Sequence, residues 1–249
     1  MELEPEWLHL VAELHRKPVV PLGLLPPSVD DQAEKDDSWV EISKWLNQHE
    51  KDSVVYVALG SEAALSQREL TELALGLELS GLPFFWALKI SSRRADFVKS
   101  AHPLLELPEG YEDRIKGRGI VWASWAPQLR ILSHDSVGGF LTHCGWSSII
   151  EGAMFGRALA MLPFMVDQGL NARVMEERKV GVLIPRNDEQ DGLFTRDGVA
   201  GSLRLVMADQ DKEGSKTGYK ENARKMAKLF GDRELHEKYM DGFLKELLV

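Results

Sequence analysis

The feature that most restricts the fold is an alternation of short, unbroken apolar runs with stretches of helical periodicity. The runs lack the polar alternation of strands that have one face in water, so each predicts a strand buried on both faces. The predicted strands span 54–59, 84–88, 120–122, 137–142, 158–162 and 180–184. The predicted helices span 66–80, 129–132, 147–155, 171–179, 196–207, 220–230 and 233–248. This order predicts an α/β fold, a doubly wound, Rossmann-like parallel sheet.

The first part of the chain differs from the rest. Residues 6–16 predict a helix that ends before Pro18, and the apolar run 19–25 predicts a strand. Two prolines and the acidic stretch 30–37 follow, which is typical of a solvated linker. We therefore expect residues 1–28 to be the tail of another domain, 29–38 to be a linker, and 39–249 to form the main domain.

Composition excludes several classes of partner and site. The net charge of −9 argues against binding nucleic acid or an anionic membrane through the overall field of the protein. Cys144 is the single cysteine, which excludes an intrachain disulfide and a cysteine-based metal cage. A run of about 18 apolar residues, long enough to span a bilayer, is absent. The N-terminus is acidic where a targeting peptide is basic, so a cytoplasmic location is expected.

Polar and aromatic residues follow four of the predicted strands. Because ligands bind at the carboxyl ends of the strands in a parallel sheet, we expect these residues to form one site. They are Gly60-Ser61, Trp125-Ala126-Pro127-Gln128, His143-Cys144-Gly145-Trp146-Ser147-Ser148 and Asp167-Gln168.

The junction after His143 has the pattern of an anion site. A strand ends, Gly145 turns the chain and a helix starts, which directs N–H groups and the positive end of the helix dipole at one point. Structural alternatives exist for each motif. Ser148 and Glu151 have the spacing of a capping box, Trp125 could be a core aromatic, and Asp167 could cap the next helix. The residue spacing leaves these alternatives open.

Together the motifs form one signature from Trp125 to Gln168, a span of 44 residues. It starts with W-A-P-Q, has H-C-G-W-S-S-x-x-E in the middle and ends with P-F-x-x-D-Q. This signature resembles the plant secondary product glycosyltransferase box, which marks the plant UDP-dependent glycosyltransferases. The resemblance extends from about Pro5 to Leu248. Segments 23–27, 56–61 and 182–186 are most similar to the subgroup that often adds a sugar to an existing glycoside.

The resemblance implies a role for each matching residue. The uracil would be bound by Trp125 and the backbone near Ala126. The ribose would be bound by Gln128 and Glu151. The diphosphate would be held by His143, Ser148 and the helix N-terminus at Gly145, with Ser61 nearby. The sugar would lie against Trp146, Ser147, Asp167 and Gln168. In the resembled family, a Gln at the last position of the signature indicates glucose.

Two residues depart from the family pattern. Ser147 stands where the family usually has Asn, so donor binding could be weaker or the choice of sugar different. Arg157 follows Gly156 where a proline is usual, a change expected to affect loop stiffness more than chemistry.

Asp209 and Asp211 match the Asp-x-Asp pattern of metal-dependent glycosyltransferases, but they lie between two predicted helices, which favours a solvated loop. The resembled family is metal-free, so we expect neither a metal nor a cofactor, with the UDP-sugar as co-substrate.

The resembled family has two Rossmann-like domains that face each other across a cleft, an architecture called GT-B. Its N-terminal domain binds the acceptor and supplies a histidine as general base. No other histidine of this chain lies in a matching motif (His9, His15, His49, His102, His134, His236). The resemblance thus implies that residues 1–28 are the end of the acceptor domain, that 39–249 are the donor domain, and that no catalytic base is present.

The expected function is inverting, metal-independent transfer from UDP-glucose to a hydroxyl of a small molecule, such as a flavonoid or terpenoid glycoside. A second hypothesis is a nucleotide-sugar-binding module that is inert or is completed by a separate acceptor-domain chain. A third is epimerisation of the sugar nucleotide.

Overall fold

The computed structural model describes residues 5–29, 37–60, 65–88, 105–187, 192–208 and 218–247. Its helices are α1 (Pro5–His15), α2 (Asp37–Leu46), α3 (Gln67–Ser80), α4 (Tyr111–Ile115), α5 (Gln128–Ser133), α6 (Trp146–Met154), α7 (Gln168–Glu177), α8 (Arg196–Met207), α9 (Tyr219–Phe230) and α10 (Arg233–Leu247). Its strands are β1 (Val54–Ala58), β2 (Phe84–Ala87), β3 (Gly119–Trp122), β4 (Val137–Thr142), β5 (Ala158–Met161), β6 (Gly181–Leu183), β7 (Arg186–Asn187) and β8 (Leu193–Phe194). Within these ranges, no helix has the length and apolar character needed to cross a membrane.

Six strands form one sheet in the order β3-β2-β1-β4-β5-β6, and every neighbouring pair is parallel. This is the strand order of a dinucleotide-binding Rossmann sheet. The predicted fold class and the six strands predicted for the parallel sheet are confirmed. The short antiparallel pair β7–β8 was not predicted.

The sheet is buried on both faces, as its unbroken apolar strands predict. All five residues of β1 are buried, and they alternate between two hydrophobic clusters. Val55 and Val57 pack in the cluster that includes residues of α3 and α8. Val54 and Tyr56 pack in the other cluster, which includes residues of α2, α5, α6, α7 and α9. With both faces covered by helices, the edge at the strand ends is left for a ligand.

Helix α2 differs from the predicted linker. It begins at Asp37, inside the range 29–38 assigned to the linker, and buries Ile42 and Leu46 completely. The helical pattern is hard to detect in the sequence, because the segment around the start of α2 has many charged residues and few apolar ones. Helix α7 also begins earlier than predicted, at Gln168.

The N-terminal segment contacts the C-terminal helix. Residues 18–29 form no helix or strand, so the strand predicted at 19–25 is wrong for the described part of the chain. Instead, the Leu24 N–H donates to Nδ1 of His236 on α10 at 3.2 Å. Helix α1 leaves an apolar stripe exposed, with Trp7 at 53% and Leu14 at 72% of their full accessibility.

Arg157 ties several elements together at the amino edge of the sheet. Its guanidinium is buried, and it lies 3.4 Å from the Asp52 carboxylate, just before β1. Burial lowers the pKa of Arg157, and the Asp52 charge opposes that shift. The guanidinium also donates to the backbone carbonyls of Leu132, His134 and Val137. Arg157 therefore joins the end of α5 to the starts of β1, β4 and β5, which is a structural role.

Candidate functional site

The centre of the sheet defines where a ligand can enter. The chain passes from β1 to β2 and β3 on one side, then crosses to β4 and continues to β5 and β6 on the other. Connections that leave two adjacent parallel strands in opposite directions open a crevice at their carboxyl ends. Gly60 follows β1 and His143 follows β4, so both residues lie at this crevice.

The imidazole of His143 packs between two glycines. A Cβ atom on Gly60 would lie 2.7 Å from Cε1 of this ring, and one on Gly145 would lie 2.6 Å from its Nε2. Both distances are too short for a real contact. Gly60 also has a φ of +74°, a conformation that other residues adopt only with strain. The two glycines therefore allow the imidazole to approach the start of α6.

Helix α6 begins at Trp146, with Gly145 as its N-cap residue. Ser148 is thus the third residue of the helix, and the capping-box alternative, in which Ser148 would precede the helix, is wrong. The N–H groups of a first helical turn have no acceptor within the helix, and the dipole makes this end positive. The first turn of α6, beside the imidazole of His143, is an arrangement that suits a phosphate.

Cys144 shapes the turn that leads into α6. Its φ of 68° is left-handed, and its N–H donates to the Thr142 hydroxyl at 3.2 Å. The side chain is completely buried, and burial raises the pKa of the thiol to about 12. The side chain is closed off from a ligand and its thiol stays protonated at neutral pH, so Cys144 acts through its backbone.

Glu151 on α6 is a half-buried carboxylate with a fixed partner. Burial raises the pKa of this carboxyl, and a hydrogen bond from Gln128 opposes the shift. Gln128 Nε2 donates to Glu151 Oε2 at 2.5 Å, and Gln128 Oε1 accepts from the Tyr56 hydroxyl at 3.3 Å. Both ends of the Gln128 amide are engaged, so its orientation is set. A partly desolvated carboxylate is a strong acceptor for hydroxyl groups.

Trp125 is an exposed aromatic residue, with 68% of its surface accessible. The alternative that it is a core residue is therefore wrong. The Trp125 carbonyl accepts from Trp122 Nε1 at 3.0 Å, which holds the backbone of this turn. The following residue, Ala126, packs against the core cluster below. The indole is free of core packing and offers a flat surface to a planar ligand.

Asp167 and Gln168 begin α7 and behave differently. Asp167 occupies the N-cap position, but its exposed side chain makes no capping hydrogen bond. The carboxylate accepts instead from Asn171 Nδ2 at 3.1 Å. The alternative that Asp167 merely caps the helix therefore fails. Gln168 is buried, and its Oε1 accepts from the N–H groups of Phe164 and Met165 at 2.9 and 3.1 Å.

The remaining predicted residues are divided between the site and other parts of the chain. Ser147 is exposed and Ser148 is half-buried in the first turn of α6. The Trp146 ring contacts Phe230 on α9, with ring centroids 6.4 Å apart, so it points towards the core cluster and not only towards a ligand. Ser61 and the Asp209-Gln210-Asp211 motif lie outside the described residues. Across the described ranges, no group of three or more His, Cys, Asp or Glu side chains is arranged for a metal ion.

Sequence reasoning missed two residues of this region, Tyr56 and Asn171. Tyr56 carries the one side-chain polar group within β1, which was a signal of a buried hydrogen bond. Asn171 stands four residues after Asp167, the spacing at which side chains on one helical face meet. Both signals were in the sequence, but each depends on knowing which side chain lies opposite.

A model of one protein family matches nearly the whole chain. The family is described as UDP-glucoronosyl and UDP-glucosyl transferase, and its model matches residues 27–241. The chain belongs to this family. The resemblance to UDP-dependent glycosyltransferases is thereby confirmed.

Two similar curated proteins come from plants. UDP-glycosyltransferase 91A1 of Arabidopsis thaliana is 54% identical over 247 residues, which is 99% of this chain and 50% of the relative. Soyasaponin III rhamnosyltransferase of Glycine max is 50% identical over 250 residues, again 99% of this chain and 50% of the relative. The chain spans about half the length of the curated relatives it matches.

Solved structures of plant glycosyltransferases share the fold. The apo structure of UGT2 from Phytolacca americana superposes with a TM-score of 0.78 at 32% identity, covering 98% of this chain and 53% of that one. The structure of TcCGT1 in complex with UDP superposes with a TM-score of 0.79 at 30% identity, covering 98% and 54%. These matches agree with a Rossmann-like unit that corresponds to about half of a GT-B enzyme.

Proposed function

We propose that this family member is the donor-binding half of a UDP-glucose-dependent glycosyltransferase. One observation carries the proposal: three different groups follow β3 and β4 at the carboxyl edge of the sheet, and the Gln128–Glu151 hydrogen bond joins the two segments. They are the exposed indole of Trp125, the half-buried carboxylate of Glu151, and the start of α6 beside His143. An aromatic face, a hydroxyl acceptor and an anion site suit the base, the ribose and the diphosphate of UDP.

The base, the ribose and the diphosphate of UDP bind to these three groups in that order. The uracil stacks on Trp125 while the backbone at Ala126 reads its edge. The two ribose hydroxyls donate to Glu151, whose carboxylate is already oriented by Gln128. The diphosphate accepts from the first-turn N–H groups of α6 and from His143, with the hydroxyls of Ser148 and Ser61 adding donors. Among the described residues, Gln128 already orients Glu151 and two glycines already flank the imidazole of His143, so this part of the site is formed before the ligand arrives.

The sugar lies beyond the diphosphate, at the start of α7. The exposed carboxylate of Asp167 accepts from sugar hydroxyls, and the amide of Gln168 donates to one. We propose glucose because Gln168, the last residue of the signature, follows Asp167. Ser147, on the exposed side of α6, lies near the phosphate and the sugar, and the backbone of Trp146 contributes an N–H group. One relative is named a rhamnosyltransferase, so the sugar has to be tested directly.

The reaction is a single displacement at the anomeric carbon. The acceptor hydroxyl oxygen forms a bond to that carbon as the bond to the UDP oxygen breaks, and UDP leaves with the electron pair. Attack from the face opposite UDP inverts the configuration. The acceptor proton passes to a base, which we place in an acceptor domain outside this chain. The helix start and His143 stabilise the charge on departing UDP in the manner of a preorganised anion site, which makes the reaction metal-independent.

An alternative function is a nucleotide-sugar-binding module that is inert or is completed by a separate acceptor-domain chain. The observation behind it is the apolar stripe that α1 leaves exposed. An acceptor domain of the same polypeptide or of another one would cover that stripe equally well. Both functions require the same donor site, and they differ only in sugar transfer.

The experiment combines donor binding with transfer. Calorimetric titration of this chain should give dissociation constants between micromolar and millimolar for UDP and UDP-glucose, and failure of UDP to bind would refute the proposal. Assays with flavonoid and terpenoid glycosides should show no turnover by the chain alone, because a positioned base contributes about 10²–10⁴-fold and acceptor positioning contributes more. Turnover near one per second, abolished by replacing one of the chain's own histidines, would place the base here.

A further inference from the structure

Asn171 connects the loop after β4 to the carboxylate of Asp167. It lies in the first turn of α7 and is half-buried. Its Nδ2 atom donates to the Cys144 carbonyl at 3.0 Å and to Asp167 Oδ2 at 3.1 Å. Both distances are those of good N–H···O bonds. An amide nitrogen carries two hydrogens, so this single group is fully used by two acceptors from different parts of the fold.

Asp167 depends on this contact for its orientation. An Asp at an N-cap position usually turns its carboxylate onto the N–H groups of the first turn. The Asp167 carboxylate makes no such bond and is held by Asn171 instead. Since the side chain is exposed, the carboxylate without Asn171 would rotate freely or fold back onto the helix. The amide holds it without neutralising its charge.

The other end of the link is rigid. Cys144 is completely buried, and its left-handed backbone lies between His143 and Gly145, the two residues at the anion site. Asn171 therefore sets the position of the Asp167 carboxylate relative to the place where the diphosphate binds. A contact to the sugar must be in register with the contacts to the diphosphate, because one ligand makes both.

We propose that Asn171 is a positioning residue for the sugar of the UDP-sugar donor. It holds Asp167 Oδ2 so that the carboxylate faces the sugar hydroxyls at a fixed distance from the diphosphate site. This inference rests on the proposed function, in which Asp167 is a sugar-binding residue. It predicts a selective effect: losing Asn171 weakens binding of the sugar but leaves binding of the nucleotide intact.

The test compares UDP with UDP-glucose in calorimetric titrations of the full chain. For Asn171→Ala, the ratio of the UDP dissociation constant to that of UDP-glucose should fall about three- to tenfold relative to the wild type, the effect expected for one misplaced hydrogen-bond acceptor. The UDP dissociation constant should stay within about twofold. The matched control is Asn222→Ala. Asn222 lies on the distant helix α9, and its half-buried amide donates to the Lys179 carbonyl at 3.1 Å. This variant should leave the ratio unchanged.

A double-mutant cycle shows whether Asn171 acts through Asp167. Asp167→Ala should lower the ratio at least as much as Asn171→Ala, and the double variant should lower it no further. Equal weakening of UDP and UDP-glucose, an unchanged ratio, or additive effects would each overturn the inference and leave the proposed function standing. Failure of UDP to bind the wild type would overturn both. Asn171→Ser, which keeps one donor, replaces the alanine variant if that chain does not fold, and its ratio should also fall.

Discussion

Replacing Glu151 by Gln should affect ligand binding and stability in opposite directions. The carboxylate accepts two ribose hydroxyls in the proposed complex, and it is already the acceptor of Gln128 Nε2. In the variant, the single amide oxygen would have to accept from both ribose hydroxyls and from Gln128. Hydrogen bonds to a charged group contribute about 1.5–3 kcal/mol, so UDP should bind about ten- to one-hundred-fold more weakly. Inorganic diphosphate has no ribose, and its affinity should change by less than twofold.

The stability of the ligand-free chain should not fall in the same variant. Because burial raises the pKa of Glu151 above its unfolded value, this group stabilises the fold at low pH. That contribution is lost as the pH rises through the folded pKa, where the charge must remain partly buried. Glutamine carries no charge at any pH. The Tm of Glu151→Gln at pH 7 should therefore equal or exceed that of the wild type, and the difference should shrink as the pH is lowered.

The assay combines calorimetry with thermal melts and uses Glu177→Gln as the matched control. Glu177 is exposed at the end of α7, so this variant removes the same charge away from the site. It should leave UDP binding and the Tm unchanged. Equal losses for UDP and diphosphate would refute the ribose assignment of Glu151. A lower Tm at pH 7 would refute the reasoning about its buried charge.

Three further predictions concern other parts of the chain. In Gly145→Ala, the new Cβ would lie 2.6 Å from His143 Nε2 and should displace the imidazole. Binding of UDP and of diphosphate should both weaken by about tenfold in titrations, and a loss for UDP alone would contradict the anion site. In Arg157→Leu, three carbonyls and Asp52 lose a buried partner, so urea unfolding should show a loss of about 3 kcal/mol. UDP affinity measured well below the Tm should not change. EDTA should leave the UDP dissociation constant unchanged, and a loss that Mn²⁺ or Mg²⁺ restores would contradict metal-independent binding.

The sheet could be predicted from the sequence because its signal is strong at every strand. A parallel strand with both faces covered must be apolar throughout, and the six unbroken runs showed this directly. The grouping of Trp125, His143 and Asp167 followed from topology, since parallel strands place their carboxyl ends at one edge. Helix α2 was missed because its apolar residues follow a long acidic run, and only the packing of Ile42 and Leu46 on the sheet shows why it forms.

The finer features of the site depended on contacts between distant residues. The spacing of Ser148 and Glu151 fits a capping box, but Glu151 is engaged by Gln128, which precedes it by 23 residues. The same limitation applies to Asn171, whose partner Cys144 lies 27 residues earlier. Spacing along the chain cannot choose between a local and a distant partner. The resemblance predicted which residues form the candidate site, but not which side chains orient them.

The position of Arg157 has a consequence for how such a chain can evolve. Its bonds join elements at the amino edge of the sheet, whereas the candidate site lies at the carboxyl edge. Strand β4, with six residues at about 3.3 Å each, places these two edges about 20 Å apart. Substitutions that far apart with no shared partner combine almost independently. Laboratory selection at the candidate site can therefore accumulate changes at residues such as Ser147 while Arg157 keeps the scaffold tolerant of them.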